Sequence, residues 1–223
     1  LQLVLSDKSK KSELIQGNII VEFTDPNPFK ELHIGHLYSN TVGESISRLL
    51  EAAGATVKRV CYQGDVGLHV AKSIWGMREK LSTEMAETSV EAGIERLASL
   101  PVKERIAFVG QAYALGATAY EEHPEISETI KKMNFAVFLS AQRMLTETKN
   151  WQPQVNYQEL AQLDDSFVDE VKKLYIAGRQ WSLDYFVQIY DRVGMKFNNF
   201  YYESEVGEFG IKIVREFLEK GIF

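Results

Sequence analysis

Residues 18–67 read NIIVEFTDPNPFKELHIGHLYSNTVGESISRLLEAAGATVKRVCYQGDVG. The β-branched run at 18–23 closes on Thr24-Asp25-Pro26-Asn27-Pro28, a dense turn signal, and predicts a buried strand followed by a loop. From Ile34 to about Ala53 apolar residues recur at helical spacing (Ile34, Leu37, Tyr38, Val42, Ile46, Leu49, Leu50), and Gly54 stands where a C-terminal cap belongs. Residues 55–62 predict a second strand, closed by the turn Gln63-Gly64-Asp65-Val66-Gly67. Strand, loop, helix and strand in this order form a βαβ unit, which requires a parallel sheet and a right-handed crossover. The expected fold class is therefore α/β with a Rossmann-like parallel sheet. Ligands of such sheets sit at the carboxyl ends of the strands, where residues 24–36 and 63–67 converge.

Beyond this unit the pattern changes. Residues 68–149 are rich in Ala and Glu, hold two prolines (Pro101 and Pro124) and predict several helices. Between Glu84 and Glu128 stand nine Glu against three basic residues, Arg96, Lys103 and Arg105, so this stretch alone matches the whole chain's net charge of -6. It reads as a solvated, acidic helical insertion, ill suited to a phosphate backbone. Trp151-Gln152-Pro153-Gln154 marks a break. Two amphipathic helices are expected next, around 165–177 and 182–193, then a strand at 196–202 and a last helix at 206–219. The division that follows is 1–76 for the first half of a nucleotide-binding domain, 77–150 for the insertion and 151–223 for the return to the core.

The chain has 223 residues, 45% of them hydrophobic and 25% charged, the balance of a globular protein. An acidic chain does not coat nucleic acid by bulk charge. A single cysteine, Cys61, excludes an internal disulfide and any cysteine-based metal cluster, and fits a reducing, cytoplasmic setting. No apolar run is long enough to span a membrane. The N-terminal LQLVLSDKSKKSELIQGN lacks the order of a signal peptide and an initiator Met, so the chain is expected to be cut from something longer.

The chemistry concentrates in residues 22–36, EFTDPNPFKELHIGH. His33 and His36 flank Gly35 at the mouth of a helix that follows a buried strand. A helix N-terminus offers free N–H groups and partial positive charge, which seat phosphate. Gly35 lets a base or ribose lie against the backbone. Two imidazoles three residues apart can donate to one anionic group, and Lys30 adds a mobile cation. Against this stands the plain reading of two surface histidines. A zinc site of His33, His36 and His69 is a further alternative. However, no carboxylate stands at ligand spacing beside the pair, and zinc explains neither Gly35 nor Lys30, so no protein-bound metal is expected.

Residues 25–37, DPNPFKELHIGHL, resemble the nucleotide-binding signature of class I aminoacyl-tRNA synthetases, in the form found in the arginyl-tRNA synthetase family. Relatives for Leu, Ile and Val carry Asn-Gly four and three residues before the first histidine, where this chain has Phe29 and Lys30. Tyr62-Gln63-Gly64-Asp65-Val66-Gly67 is similar to the family's Gly-Asp-x-Gly turn. Trp181-Ser182-Leu183, then Tyr190 to Phe197, with Glu203-Ser204 beyond, resembles the segment leading back into its catalytic core.

The resemblance implies activation of L-arginine by ATP and transfer to tRNA(Arg), with Mg2+ carried by ATP, by a cytoplasmic and monomeric enzyme. His33, Gly35 and His36 would hold ATP and its transition state, and Lys30 would clamp phosphate. Glu22, Asp25, Asn27 and His36 would line the arginine pocket, while Gly64 and Asp65 form either a structural turn or a substrate contact. The second family signature, a Lys-Met-Ser-Lys-like loop, is missing; Lys131-Lys132-Met133-Asn134 sits in an amphipathic helix and only imitates it. The guanidinium-binding residues and the anticodon-binding domain that follow in the family are also missing, so the chain alone is expected to be inactive. Two rivals remain open here: a nucleotidyltransferase with the same His-x-Gly-His site, and a non-catalytic interaction module.

Overall fold

The computed structural model describes residues 17–86, 89–153 and 155–222; residues 1–16 of the stretch read above for targeting signals lie outside them. Three strands, β1 (Asn18–Glu22), β2 (Thr56–Gln63) and β3 (Asn199–Tyr202), form one sheet in the order β1-β2-β3. Both pairings are parallel, with Val21 opposite Arg59 and Val60 opposite Asn199. Between β1 and β2 runs α1 (Ile34–Ala52). Between β2 and β3 the chain makes a long helical excursion: α2 (Leu68–Thr83), α3 (Val90–Ala98), α4 (Val102–Glu122), α5 (Pro124–Lys149), a short α6 (Tyr157–Ala161) and α7 (Asp165–Arg192). Then α8 (Glu203–Glu219) leaves directly from β3, three residues before the helix start that periodicity marks. Of the strand expected at 196–202, only the last four residues pair with β2.

The acidic excursion is less a solvated appendage than the site of the larger core. Ile74 and Met77 of α2, Ile106 of α4, Ile130 and Met133 of α5 and Leu174 of α7 are fully buried together, while the described glutamates between 84 and 128 are exposed. Met133 thus lies inside the bundle, which fits the helical reading of Lys131–Asn134. The expected division after residue 76 falls within α2. A smaller core of Phe23, Phe186, Tyr190 and Met195 lies where α7 crosses the sheet.

β1 is an edge strand whose residues are exposed or half-buried, not the buried strand expected, and two further expectations need correction. The segment 165–192 is one helix of 28 residues, not two. Gly178 marks no break: a Cβ there would stand 2.4 Å from the Phe29 ring, so glycine is the residue that lets the loop after β1 press against α7. The second concerns α1. Its apolar stripe does not face the sheet, and Ile34, Tyr38 and Leu49 are among its most exposed side chains. The buried side is instead Asn40, Gly43 and Ser47. Small residues let the helix settle against β1, since a Cβ on Gly43 would meet the Phe23 ring at 2.1 Å. Arg59 on β2 then ties the helix down, with Nε 2.6 Å from Glu44 and Nη1 2.7 Å from Glu51.

Candidate functional site

At the carboxyl end of β1 the backbone is held in a conformation that costs energy. Thr24, Asp25 and Phe29 all adopt positive φ (79°, 46° and 69°). For a β-branched residue such as Thr24 this is an outlier, and each position costs on the order of 1–3 kcal/mol. The surroundings enforce it. Ser39 Oγ accepts from the Thr24 N–H at 3.2 Å, and Thr24 Oγ1 donates to Asn40 Oδ1 at 2.5 Å. Asp25 Oδ1 accepts from the Tyr62 N–H at 2.9 Å, joining the ends of β1 and β2. Burial raises the Asp25 carboxyl above its ordinary pKa, against the lowering effect of that hydrogen bond. The Phe29 N–H donates to Ser182 Oγ at 2.9 Å, while its ring is fully buried and stacks on Tyr175. The strained loop therefore delivers Asn27 and Lys30 from a fixed frame.

His33 and His36 open α1 as a reciprocal cap. His33 Nδ1 accepts from the Gly35 N–H at 3.1 Å, and His36 Nδ1 accepts from the His33 N–H at 3.2 Å. The two rings stack with centroids 3.9 Å apart. An imidazole that accepts at Nδ1 carries its proton on Nε2, so both rings keep an Nε2–H donor that meets no partner among the described residues. Burial, then His33, then Lys30 lower the pKa of His36, which keeps it a neutral donor at pH 7. Lys30 Nζ lies 4.5 Å over the Tyr113 ring of α4 and has no ion pair among the described residues. Sequence reasoning missed Tyr113, one aromatic in an Ala-rich helix with no motif around it.

The turn after β2 divides the expected pair. Asp65 is fully buried. Its Oδ2 accepts from Arg179 Nε at 2.7 Å and Ser204 Oγ at 2.8 Å, and its Oδ1 from the Ser204 N–H at 2.8 Å. Tyr175 Oη adds a long contact at 3.5 Å. Full burial keeps the carboxylate out of a ligand's reach, and Asp65 locks β2, α7 and α8 together beneath the site. Gly64 is buried in the turn against Asn27, whose Oδ1 would stand 2.6 Å from a Cβ there. His69 Nε2 donates to Gly64 O at 2.9 Å, and burial first of all pushes its pKa down to about 4. Glu22 is exposed at the end of β1.

The structure therefore gathers Glu22, Asp25, Asn27, Lys30, His33, Gly35, His36 and Gly64 along the strand ends, and sets Asp65 below them. Beside the histidines a cavity of about 430 Å3 opens between α1 and the end of α7, lined by Asn40, Tyr185, Ile189, Tyr190 and Arg192 among others. Of these, only Tyr190 and Arg192 lie in a segment that the sequence resemblance marks. Among the described residues no group of three or more His, Cys, Asp or Glu is arranged to hold a metal ion. No helix described is long and apolar enough to cross a membrane.

Residues 1–110 match the family model described as "tRNA synthetases class I (R), catalytic domain". The arginine–tRNA ligase of Flavobacterium psychrophilum is 29% identical over 205 residues, covering 92% of this chain and 30% of the relative. That of Treponema pallidum subsp. pallidum is 29% identical over 213 residues, covering 95% and 30%. The crystal structure of arginyl-tRNA synthetase from Plasmodium falciparum superposes with a TM-score of 0.50 over 93% of this chain and 28% of that one, at 19% identity, a likeness of fold. The chain thus spans about 30% of the length of the curated relatives it matches.

Proposed function

Since the chain belongs to the class I arginyl-tRNA synthetase family, through that family's catalytic domain, we propose that its strand ends form the ATP- and arginine-binding wall for aminoacyl transfer to tRNA(Arg). In the first step the arginine carboxylate attacks the α-phosphorus of ATP in line. A carboxylate–phosphorus bond forms, the bond to the β-phosphate oxygen breaks, and pyrophosphate leaves with the electron pair. A terminal hydroxyl of tRNA then attacks the activated carbonyl and releases AMP. No covalent enzyme intermediate is required, so the protein acts by positioning and by offsetting charge. Mg2+ accompanies ATP.

His33 and His36 donate from Nε2–H to the phosphate oxygens as charge develops there, and Lys30 clamps the phosphates. Gly35 lets the adenosine approach the helix. Glu22, Asp25 and Asn27, with His36 at the border, take the arginine. Gly64 shapes the turn at the substrate's side. In this reading the parts are 1–76 for the nucleotide half, 77–150 for the insertion and 151–223 for the return. Cytoplasmic location and a monomeric state belong to the same proposal. One observation carries it: both imidazoles are locked through Nδ1 to backbone N–H groups, so both Nε2 protons are committed outward at a helix N-terminus. The family matches support the synthetase reading over the nucleotidyltransferase and the non-catalytic module.

The test follows the four histidines of the chain by their imidazole NMR signals during an ATP titration. The expected result is that His33 and His36 shift together at millimolar ATP, while His123, at the start of α5, stays in place. Silence from the pair would contradict the assignment.

A further inference from the structure

Three of the described lysines lie over aromatic rings of α4. Lys30, in the loop after β1, has its Nζ 4.5 Å from the centre of the Tyr113 ring; Lys72 and Lys80 of α2 have theirs 4.0 Å from Tyr120 and 5.6 Å from Phe108. Two of the three are also paired with a carboxylate, Lys72 with Glu121 at 3.4 Å and Lys80 with Glu84 at 2.5 Å. Lys30 has the ring alone among the described residues. The loop is pressed onto the helix at its next residue as well, since a Cβ on Gly110, about one turn before Tyr113, would lie 3.2 Å from Glu31 Oε1. A ring attracts an ammonium through its quadrupole but does not cancel its charge. The N–H bonds directed away from the ring stay free for an anion. Lys30 acts on its surroundings as such a charge: after burial, it is one of the causes that lower the pKa of both His36 and His69.

We propose that Tyr113 is a positioning residue for the phosphates of ATP: its ring holds the Lys30 ammonium at the strand ends without neutralising it. This rests on the reading of Lys30 as the phosphate clamp, and adds to that site a residue from the helical excursion. A free lysine samples many rotamers, and ordering it at the moment of binding costs affinity. A carboxylate in the place of the ring would order it too, but would compete with the phosphates for its N–H bonds. The ring does the first without the second. The Tyr113 hydroxyl has no hydrogen-bond partner among the described residues, so the π-face is the part that acts, and phenylalanine serves as well.

ATP is titrated calorimetrically into the 223-residue chain and into Tyr113→Phe, Tyr113→Leu, Lys30→Met and the double variant of Lys30→Met with Tyr113→Leu. Tyr113→Leu is expected to weaken ATP binding about threefold to fivefold, the worth of one cation–π contact, and Tyr113→Phe to bind as the native chain does. In the Lys30→Met background, Tyr113→Leu is expected to change nothing further. Unchanged or tighter binding by Tyr113→Leu, a phenylalanine variant as weak as the leucine one, or a loss that persists without Lys30 overturns the proposal alone. Lys30→Met that binds ATP as the native chain does, or a native chain that binds none, overturns the clamp and this inference with it. Proton NMR of the native chain gives a reading that depends on no variant at position 113. The ring current of Tyr113 is expected to move the Lys30 ε-methylene protons upfield of those of an ordinary lysine, before and after ATP is added. Ordinary shifts contradict the contact.

Discussion

Replacing Asp65 with alanine is expected to destabilise the chain by about 3–5 kcal/mol, the cost of removing one member of a buried ion pair. The reason lies in what remains. The Arg179 side chain is only 12% exposed, and Asp65 is its sole ion-pair partner among the described residues. Burial alone would lower the Arg179 pKa, and the carboxylate beside it reverses that. Without Asp65 a guanidinium, the Ser204 hydroxyl and an N–H at the start of α8 all lose their acceptor in an apolar setting. A domain of this kind has a total stability of about 5–15 kcal/mol, so the variant stands close to unfolding. Urea denaturation of Asp65→Ala and Asp65→Asn beside the native chain reads the effect. The asparagine variant is expected to lie between the two, because its amide oxygen still accepts. A midpoint for Asp65→Ala equal to the native one would show that the contacts around Asp65 carry no stability.

The second large effect is one of pH. The folded chain holds the His69 pKa at about 4, chiefly by burial, against an ordinary value of 6.5. Between those values the unfolded chain binds the proton and the folded chain does not, so stability falls as the pH drops from 6.5 toward 4 and is fully present above 6.5. The shift corresponds to about 3 kcal/mol. Glutamine at position 69 still donates to Gly64 O but does not titrate. Thermal unfolding from pH 7 to pH 4 is therefore expected to fall more steeply for the native chain than for His69→Gln. Parallel slopes would place the acid sensitivity elsewhere.

What the sequence makes legible is local. A β-branched run, a proline-rich turn and a helix start lie within twenty residues of one another, so β1, its loop, α1 and the histidine pair can be read together. Their chemistry is set by neighbours in the chain: His33 and His36 cap each other across three residues. Asp65 is different. Its partners Arg179 and Ser204 stand 114 and 139 residues away, and no spacing rule joins them. A comparable separation in the chain hides the role of Gly178, whose missing side chain makes room for Phe29. The apolar stripe of α1 misleads for another reason. Periodicity reports that a helix has two faces, but not which one a sheet will take, and here close approach through Gly43 outweighs the larger side chains. Tyr113 is a single residue without a motif, placed at the site only by packing.

The central claim is that these strand ends recognise arginine beside ATP. It is met most directly by the thermal unfolding of the 223-residue chain with ATP present, comparing L-arginine with L-lysine at equal concentration. A ligand of the native state at ten times its dissociation constant raises stability by about 1.4 kcal/mol, a rise of roughly 3–5 °C for a chain of this size. The account predicts that rise with arginine and little with lysine. Equal shifts with both amino acids, or none with either, would contradict it.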